Sequence, residues 1–180
     1  TESSTTLMLD LAHLEGTHST VGNRVLVQTL FDTYHSSDAV IGGDESDPIL
    51  CNDCHQQNTR HRVTRQVYFV NNRLCIGIKR ATGSHDGRQA RKSLVAVNFD
   101  DPLMVLDRPF DVQSFVLHLG TSINQGHYVC YRRSEAFPGK WCLFDDQHCE
   151  DNLPLPKHAA QDVTILWYIC NQLPEMMQPL

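Results

Sequence analysis

Two stretches, GHYVCYRR at residues 126–133 and WCLFDD at residues 141–146, decide the fold of this 180-residue chain. Both are rich in β-branched, aromatic and other apolar residues, which is typical of strands. The segment SEAFPG at residues 134–139 separates them and carries Ser, Pro and Gly, which favour turns. The pattern predicts two strands, His127–Arg132 and Lys140–Phe144, that pair antiparallel across this turn.

This pairing would return Asp145, at the end of the second strand, to His127, at the start of the first. A carboxylate beside an imidazole can hold one tautomer and stabilise the charged form, as in a nucleophile, base and orienter triad. A structural interpretation also applies, because a histidine at a strand start is commonly a surface residue and paired aspartates commonly form turns. Both interpretations stay open on the pattern alone.

Working outward, period-two and β-branched runs predict further strands at Leu7–Leu11, Val63–Val70, Leu74–Lys79, Leu94–Phe99, Phe115–His118 and Val163–Ile169. Apolar residues at helical spacing predict a helix over Arg24–Tyr34, and Ser, Asp, Gly and Pro predict a loop over residues 36–48. Val63–Val70 and Leu74–Lys79 are expected to be adjacent strands. The short connections favour an α+β fold with a mainly antiparallel sheet.

Composition and charge exclude several classes of protein. Hydrophobic residues make up 41% and charged residues 20% of the chain, with a net charge of −6, so we expect a folded domain that binds no nucleic acid. The apolar runs are far shorter than the ~20 residues that span a bilayer, so we expect no membrane association.

Seven cysteines without an even framework predict a reducing compartment, the cytoplasm or the nucleus. Because Thr1 is the first residue, we expect a piece of a longer protein.

Four stretches are similar to the histidine box and closing strand of ubiquitin-specific proteases: FVLHLG at 115–120, GHYVCY at 126–131, WCLFDD at 141–146 and ILWY at 165–168. CNDC at 51–54 and LCIGIKR at 74–80 resemble that family's second zinc-ribbon pair and the strand after it. The resemblance runs from about Leu7 to Tyr168. It departs at Ile78, where Leu is usual, and at Ala81, where Phe is common.

The resemblance implies a papain-like cysteine protease fold. The antiparallel-sheet palm, with the histidine box, would occupy about residues 81–172, and a fingers-like segment with part of the zinc ribbon would occupy about residues 1–80. The helical thumb would be lacking.

Carried over residue by residue, the resemblance makes His127 the general base, Asp145 its orienting carboxylate and Asp146 a polar support. Gly126 would leave room for the diglycine tail of ubiquitin, and Tyr128 would lie with it in the substrate-binding part of the site. Tyr128 and Trp141 are expected to be packing residues of the core.

The family's nucleophile box, of the form Gly-Asn-x-Cys-Tyr, is missing. Residues 21–25 echo it without a cysteine, and we interpret the echo as coincidence. The resemblance therefore implies part of a deubiquitinase that cleaves after the C-terminal glycine of ubiquitin. Its nucleophile would lie on an upstream segment or a partner chain, and ubiquitin or ubiquitinated proteins would be its other partners.

Catalysis of this kind needs no cofactor. Cys51 and Cys54 supply only two of the four ligands of a structural zinc, a partial site that His55 and His61 could complete. Two alternatives remain open. One is a catalytically inactive ubiquitin-binding or scaffold module of the same fold, and the other is a zinc-ribbon interaction domain in which His127 has no role.

Overall fold

The structure is a computed structural model that describes residues 6–11, 24–36, 39–41, 50, 52–56, 61–67, 70–82 and 91–171. The strands are β1 (Thr6–Asp10), β2 (Arg24–Leu26), β3 (Ala39–Ile41), β4 (His61–Val63), β5 (Arg73–Lys79), β6 (Ala81–Thr82), β7 (Arg91–Lys92), β8 (Ala96–Asn98), β9 (Leu103–Val105), β10 (Arg108–Leu119), β11 (His127–Arg133), β12 (Trp141–Asp145), β13 (His148–Leu153) and β14 (Val163–Ile169). The helices are α1 (Val27–Ser36) and α2 (Ala159–Asp162). Within the described residues, no helix is long and apolar enough to cross a membrane.

One eight-stranded sheet dominates the fold. Its strand order is β1-β5-β14-β10-β11-β12-β13, with β9 paired to β10. The β1–β5 pair is parallel and the other pairs of this sheet are antiparallel. The predicted α+β class with a mainly antiparallel sheet is confirmed. The division into a fingers-like segment before residue 80 and a palm after it stays a prediction, and β1 and β5 lie in the same sheet as β10–β14.

The core lies on one face of this sheet. Ile76, Leu166, Phe115 and Tyr131 lie opposite one another on four adjacent strands and are all buried. Because side chains alternate between faces along a strand, this register gathers them on the same side. Helix α1 adds the buried side chains of Val27, Leu30 and Phe31 to the same cluster, as its helical spacing predicts.

An aromatic group forms the centre of the core. The Phe115 ring lies 5.1 Å from that of Tyr131 and nearly parallel to it, 4.7 Å from that of Trp141 and 5.0 Å from that of Phe99, measured between centroids. Such offset and edge arrangements are favourable for aromatic pairs. The predicted core role of Trp141, which is 2% exposed, is confirmed.

The predicted pairing of Val63–Val70 with Leu74–Lys79 is wrong. Among the described residues from 61 to 70, only His61–Val63 forms a strand, and it pairs with β3. β5 has no free edge to offer, since β1 and β14 occupy its two sides. Arg65 instead crosses the end of α1, where its guanidinium lies over the Tyr34 ring.

Other boundaries also differ from the predictions. The helix begins at Val27 rather than Arg24, because residues 24–26 pair with β8. Within the predicted loop, Ala39–Ile41 forms β3, and residues 37–38 and 42–48 lie outside the described residues. β9 and β13 were not predicted.

Candidate active site

Strands β11 and β12 bring His127 and Asp145 together. The register pairs Cys130 with Phe144 and Tyr131 with Leu143, so the first residue of β11 and the last residue of β12 share one face. His127 Nε2 lies 2.5 Å from Asp145 Oδ1. The proximity expected from the sequence is therefore present, while the catalytic roles stay predictions.

Asp146 completes a compact polar group. It follows β12 with φ of 51°, a left-handed conformation that Asp tolerates better than most residues. One ligand atom from each of His127, Asp145 and Asp146 lies within 4.8 Å of the others. Asp146 thus serves the turn into β13 and also places a carboxylate beside the imidazole.

The hydrogen bond that His127 donates to Asp145 raises the pKa of His127 above its ordinary value, and the charges of Asp145 and Asp146 act in the same direction. Partial burial opposes this shift in the pKa of His127. The His127 side chain is 46% exposed and that of Asp145 39% exposed, so solvent can reach both. A raised pKa means that the contact with Asp145 favours the charged imidazolium form.

The contact also assigns the two ring nitrogens. If Nε2 carries the proton that Asp145 accepts, Nδ1 holds the lone pair. Nδ1 makes no hydrogen bond to any described residue of the chain. It is the atom with which His127 can accept a proton.

Gly126 is closely packed for a reason that the sequence did not show. A Cβ at this position would overlap Nε2 of His118 and lie 2.6 Å from the carbonyl oxygen of Leu119. The glycine is therefore required by the fold itself. Its expected role in leaving room for a diglycine tail stays a prediction.

The predicted core role of Tyr128 is wrong, because its side chain is 59% exposed. Tyr128 lies on the sheet face opposite Val129 and Tyr131, which point into the core. Its ring stacks against that of His118 at 4.7 Å between centroids. Because side chains alternate along β11, the Tyr128 ring lies on the face opposite that of His127. Its substrate contact stays a prediction.

The partial metal site receives no support from the described residues. Cys51 lies outside them, and so does the side chain of His61. Cys54 and His55 are exposed, and Cys54 belongs to no group of three potential metal ligands in the described part of the chain. A zinc at this position stays a prediction.

Burial or a raised pKa makes Cys75, Cys130, Cys142 and Cys170 poor nucleophiles. Cys75, Cys142 and Cys170 are buried, Cys130 is half-buried and Cys149 is exposed. Burial raises the pKa of Cys130, and burial with the neighbouring Cys149 thiol raises the pKa of Cys142 to about 11. Thiols with raised pKa values hold little thiolate at neutral pH.

Sequence reasoning missed three buried polar residues near the site: Arg80, Lys92 and His118. Arg80 donates to the carbonyl oxygens of Ser93, Val95, Ala160 and Val163. Only His118 lies within an apolar run, whereas Arg80 and Lys92 each stand beside another basic residue, so the sequence offered no signal of their burial or their partners.

Comparison with known proteins identifies the family of the chain. The family model for ubiquitin carboxyl-terminal hydrolases matches residues 34–168. Ubiquitin carboxyl-terminal hydrolase 9 of Saccharomyces cerevisiae is 24% identical over 133 residues, which are 69% of this chain and 17% of that protein. Ubiquitin carboxyl-terminal hydrolase 14 of Caenorhabditis elegans is 46% identical over 39 residues, which are 22% of this chain and 8% of that protein.

Solved structures agree on the fold. A yeast SAGA DUB module with a mutant Sgf73 superposes with a TM-score of 0.57 at 19% identity, and a SAGA DUB module of Ubp8, Sgf11, Sus1 and Sgf73 bound to monoubiquitin superposes with a TM-score of 0.55 at 17% identity. Each alignment covers 93% of this chain and 35% of the solved chain. The chain thus spans about a third of the solved chains and less than a fifth of the curated relatives it matches. The predicted papain-like fold of this family is confirmed, and the chain belongs to the ubiquitin carboxyl-terminal hydrolase family.

Proposed function

We propose that this chain supplies the general base and the orienting carboxylate of a thiol-dependent ubiquitin hydrolase whose nucleophilic cysteine lies outside the chain. The observation that carries the proposal is the contact of His127 Nε2 with Asp145 Oδ1, which leaves Nδ1 available as a base. Membership of the ubiquitin carboxyl-terminal hydrolase family supports the choice of substrate class.

The proposed reaction has two halves. His127 Nδ1 takes the proton of the cysteine thiol, and the thiolate attacks the carbonyl carbon of the C-terminal glycine of ubiquitin. The imidazolium then gives its proton to the leaving amine as the isopeptide or peptide bond breaks. In the second half, His127 takes a proton from water, which hydrolyses the thioester and releases ubiquitin and the thiol.

Asp145 has the orienting role in this scheme. Its carboxylate would hold the Nε2–H tautomer and stabilise the imidazolium that forms in each half-reaction. Asp146 would add negative charge beside it. Neither carboxylate needs to accept a proton.

The proposed partners follow from this chemistry. Ubiquitin or a ubiquitinated protein would be the substrate, and one solved structure of similar fold is a module bound to monoubiquitin. An upstream segment or a partner chain would carry the cysteine. A thiol nucleophile must stay reduced, so we propose the cytoplasm or the nucleus as the compartment.

A second candidate is a catalytically inactive ubiquitin-binding or scaffold module. The cysteines with shifted pKa values, Cys130 and Cys142, have them raised rather than lowered, which favours this alternative for the chain alone. The two functions differ in whether an upstream cysteine is present. They can therefore be separated in the full-length protein.

The test uses ubiquitin with a thiol-reactive C-terminal group, read by intact mass, and hydrolysis of a ubiquitin–fluorophore. We expect an adduct with the full-length protein and none with the 180-residue chain. His127→Ala should lower turnover by about 100-fold or more, since general base catalysis contributes on that order. His148→Ala is the matched control, because this exposed histidine contacts only Glu150, at 3.6 Å, among the ion pairs of the described residues.

Each outcome has a clear meaning. Turnover at the wild-type rate with His127→Ala would refute the assignment of the base. Binding of ubiquitin without adduct or turnover by the full-length protein would favour the inactive module.

A further inference from the structure

Lys92, the last residue of β7, is a buried cation that the proposed mechanism does not use. Its side chain is 1% exposed. Its ammonium lies 2.5 Å from the carbonyl oxygen of His118, 2.8 Å from that of Gly120 and 2.6 Å from Asp162 Oδ1. All three donors of the ammonium are therefore satisfied, which a buried charge requires.

The two carbonyls that Lys92 holds lie on either side of Leu119, at the end of β10. Leu119 is the register partner of His127 in the β10–β11 pair. Lys92 therefore fixes the backbone on both sides of the residue that lies opposite His127.

The end of β10 is also the neck of the loop at residues 120–126, that is, the point where the two ends of the loop meet. A Cβ on Gly120 would lie 2.7 Å from the carbonyl oxygen of Gln125 and 3.0 Å from the Cα of Gly126, so the two ends of the loop are in contact. Gly126 in turn packs against His118 and the Leu119 carbonyl. His127 directly follows Gly126, so β11 begins at this neck. Lys92 holds the opposite side of the neck, at Gly120.

Asp162, the carboxylate that pairs with Lys92, lies in a stretch of backbone that is itself fixed by hydrogen bonds. Asp162 ends α2, and the neighbouring carbonyl oxygens of Ala160 and Val163 accept hydrogen bonds from Arg80. The buried guanidinium thus fixes the backbone on both sides of Asp162. The chain of contacts runs from Arg80 through α2 and Lys92 to the loop neck.

We propose that Lys92 is a positioning residue for His127, acting through the carbonyls of His118 and Gly120 to hold the imidazole against Asp145. The inference rests on the proposed function, because it gives His127 the role of the base. Lys92 touches neither His127 nor the reacting atoms in this scheme.

Removal of the Lys92 cation would have a different effect on His127 for each role that the lysine could have. A merely structural role would lower stability and leave the His127 imidazole unchanged. A direct effect of charge would make the pKa of His127 rise when the cation is removed, because a nearby positive charge disfavours imidazolium. Loss of positioning would make the pKa of His127 fall toward its ordinary value, because the contact with Asp145 is what raises it. The sign of the change therefore separates the three roles.

The experiment is an NMR titration of the His127 ring in the 180-residue chain, with the resonance assigned by its loss in His127→Gln. In Lys92→Met we expect the pKa of His127 to fall by about half a unit or more, well within the range over which protein environments shift histidine. Lys79→Met is the matched control, since Lys79 lies on the sheet that carries His127 and pairs with Asp10 at 2.7 Å, but is 54% exposed. It should leave the titration unchanged.

An unchanged or raised pKa of His127 in a folded Lys92→Met chain would overturn the proposal. If Lys92→Met does not fold, Lys92→Gln carries the same test, because its amide can still donate to one carbonyl. A smaller fall in the same direction is then expected, and no fall would again overturn it.

A second arm measures turnover of the ubiquitin–fluorophore by the full-length protein. Lys92→Met should lower kcat by about tenfold with little change in KM, as misplacing a catalytic group does. A changed titration with an unchanged kcat would refute positioning for catalysis. The titration needs neither ubiquitin nor the nucleophile, so absence of wild-type turnover would count against the proposed function and leave the structural inference standing.

Discussion

At the scale of single residues, the contact between His127 and Asp145 links protonation to stability. The hydrogen bond that His127 donates to Asp145 raises the pKa of His127 in the folded chain above the value of about 6.5 expected when unfolded. The stability that this contact adds is therefore fully present below about pH 6.5 and is lost as the pH rises through the folded pKa.

We accordingly expect Asp145→Asn to destabilise the 180-residue chain more at about pH 5.5 than at about pH 8.5, on either side of the His127 titration. The measurement is the free energy of unfolding in urea at both pH values. Glu135→Gln is the control, because Glu135 pairs with Arg132 at 3.2 Å on the surface and arginine does not titrate in this range. An equal loss at both pH values for Asp145→Asn would contradict the proposed stabilisation of imidazolium.

At the scale of elements, the junction of β10 and β11 depends on close packing between the two strand ends. Gly126 occupies a space bounded by His118 and the Leu119 carbonyl. Gly126→Ala should cost about 1–3 kcal/mol, the usual range for overpacking. If the glycine served only to admit a ubiquitin tail, the free energy of unfolding would not change.

A double-mutant cycle with His118→Ala identifies the cause of that cost. Removing the ring should recover part of the loss, because residues in direct contact couple by about 0.5–3 kcal/mol. Gly139→Ala is the control, since its Cβ would meet nothing within 4 Å although its φ is +76°. His118→Ala should leave the cost of Gly139→Ala unchanged, whereas equal coupling in both cycles would exclude packing against the ring as the cause.

At the scale of the whole molecule, the aromatic group around Phe115 joins the central strands of the sheet to its β11–β12 end. Phe115 is 1% exposed and contacts the rings of Phe99, Tyr131 and Trp141. Phe115→Ala should cost about 3–5 kcal/mol. Because domains are stable by only about 5–15 kcal/mol, this single change should bring the chain close to unfolding.

Urea or thermal unfolding checks this expectation, with Phe137→Ala as the matched control. Phe137 is 43% exposed in the turn between β11 and β12, and its replacement should change stability by about 0.5 kcal/mol or less. Similar losses in the two variants would show that the aromatic group does not hold the sheet together.

The sequence by itself determined the local features of this protein. Alternating and β-branched residues predicted β11, β12 and β14, and the turn between β11 and β12 predicted that Asp145 returns to His127, only 18 residues away. Such pairs form within one hairpin, so the turn and the register decide them together. The motifs in the same stretches were enough to predict the family.

Tertiary structure alone decided the neighbours of each strand and the partners of each buried charge. Alternation shows which face of a strand is buried, but it does not show that β5 lies between β1 and β14 or that residues 64–67 lie outside any strand. Lys92 meets His118 and Asp162 from 26 and 70 positions away. The burial of a charge depends on such distant partners, because only their hydrogen bonds offset the loss of water.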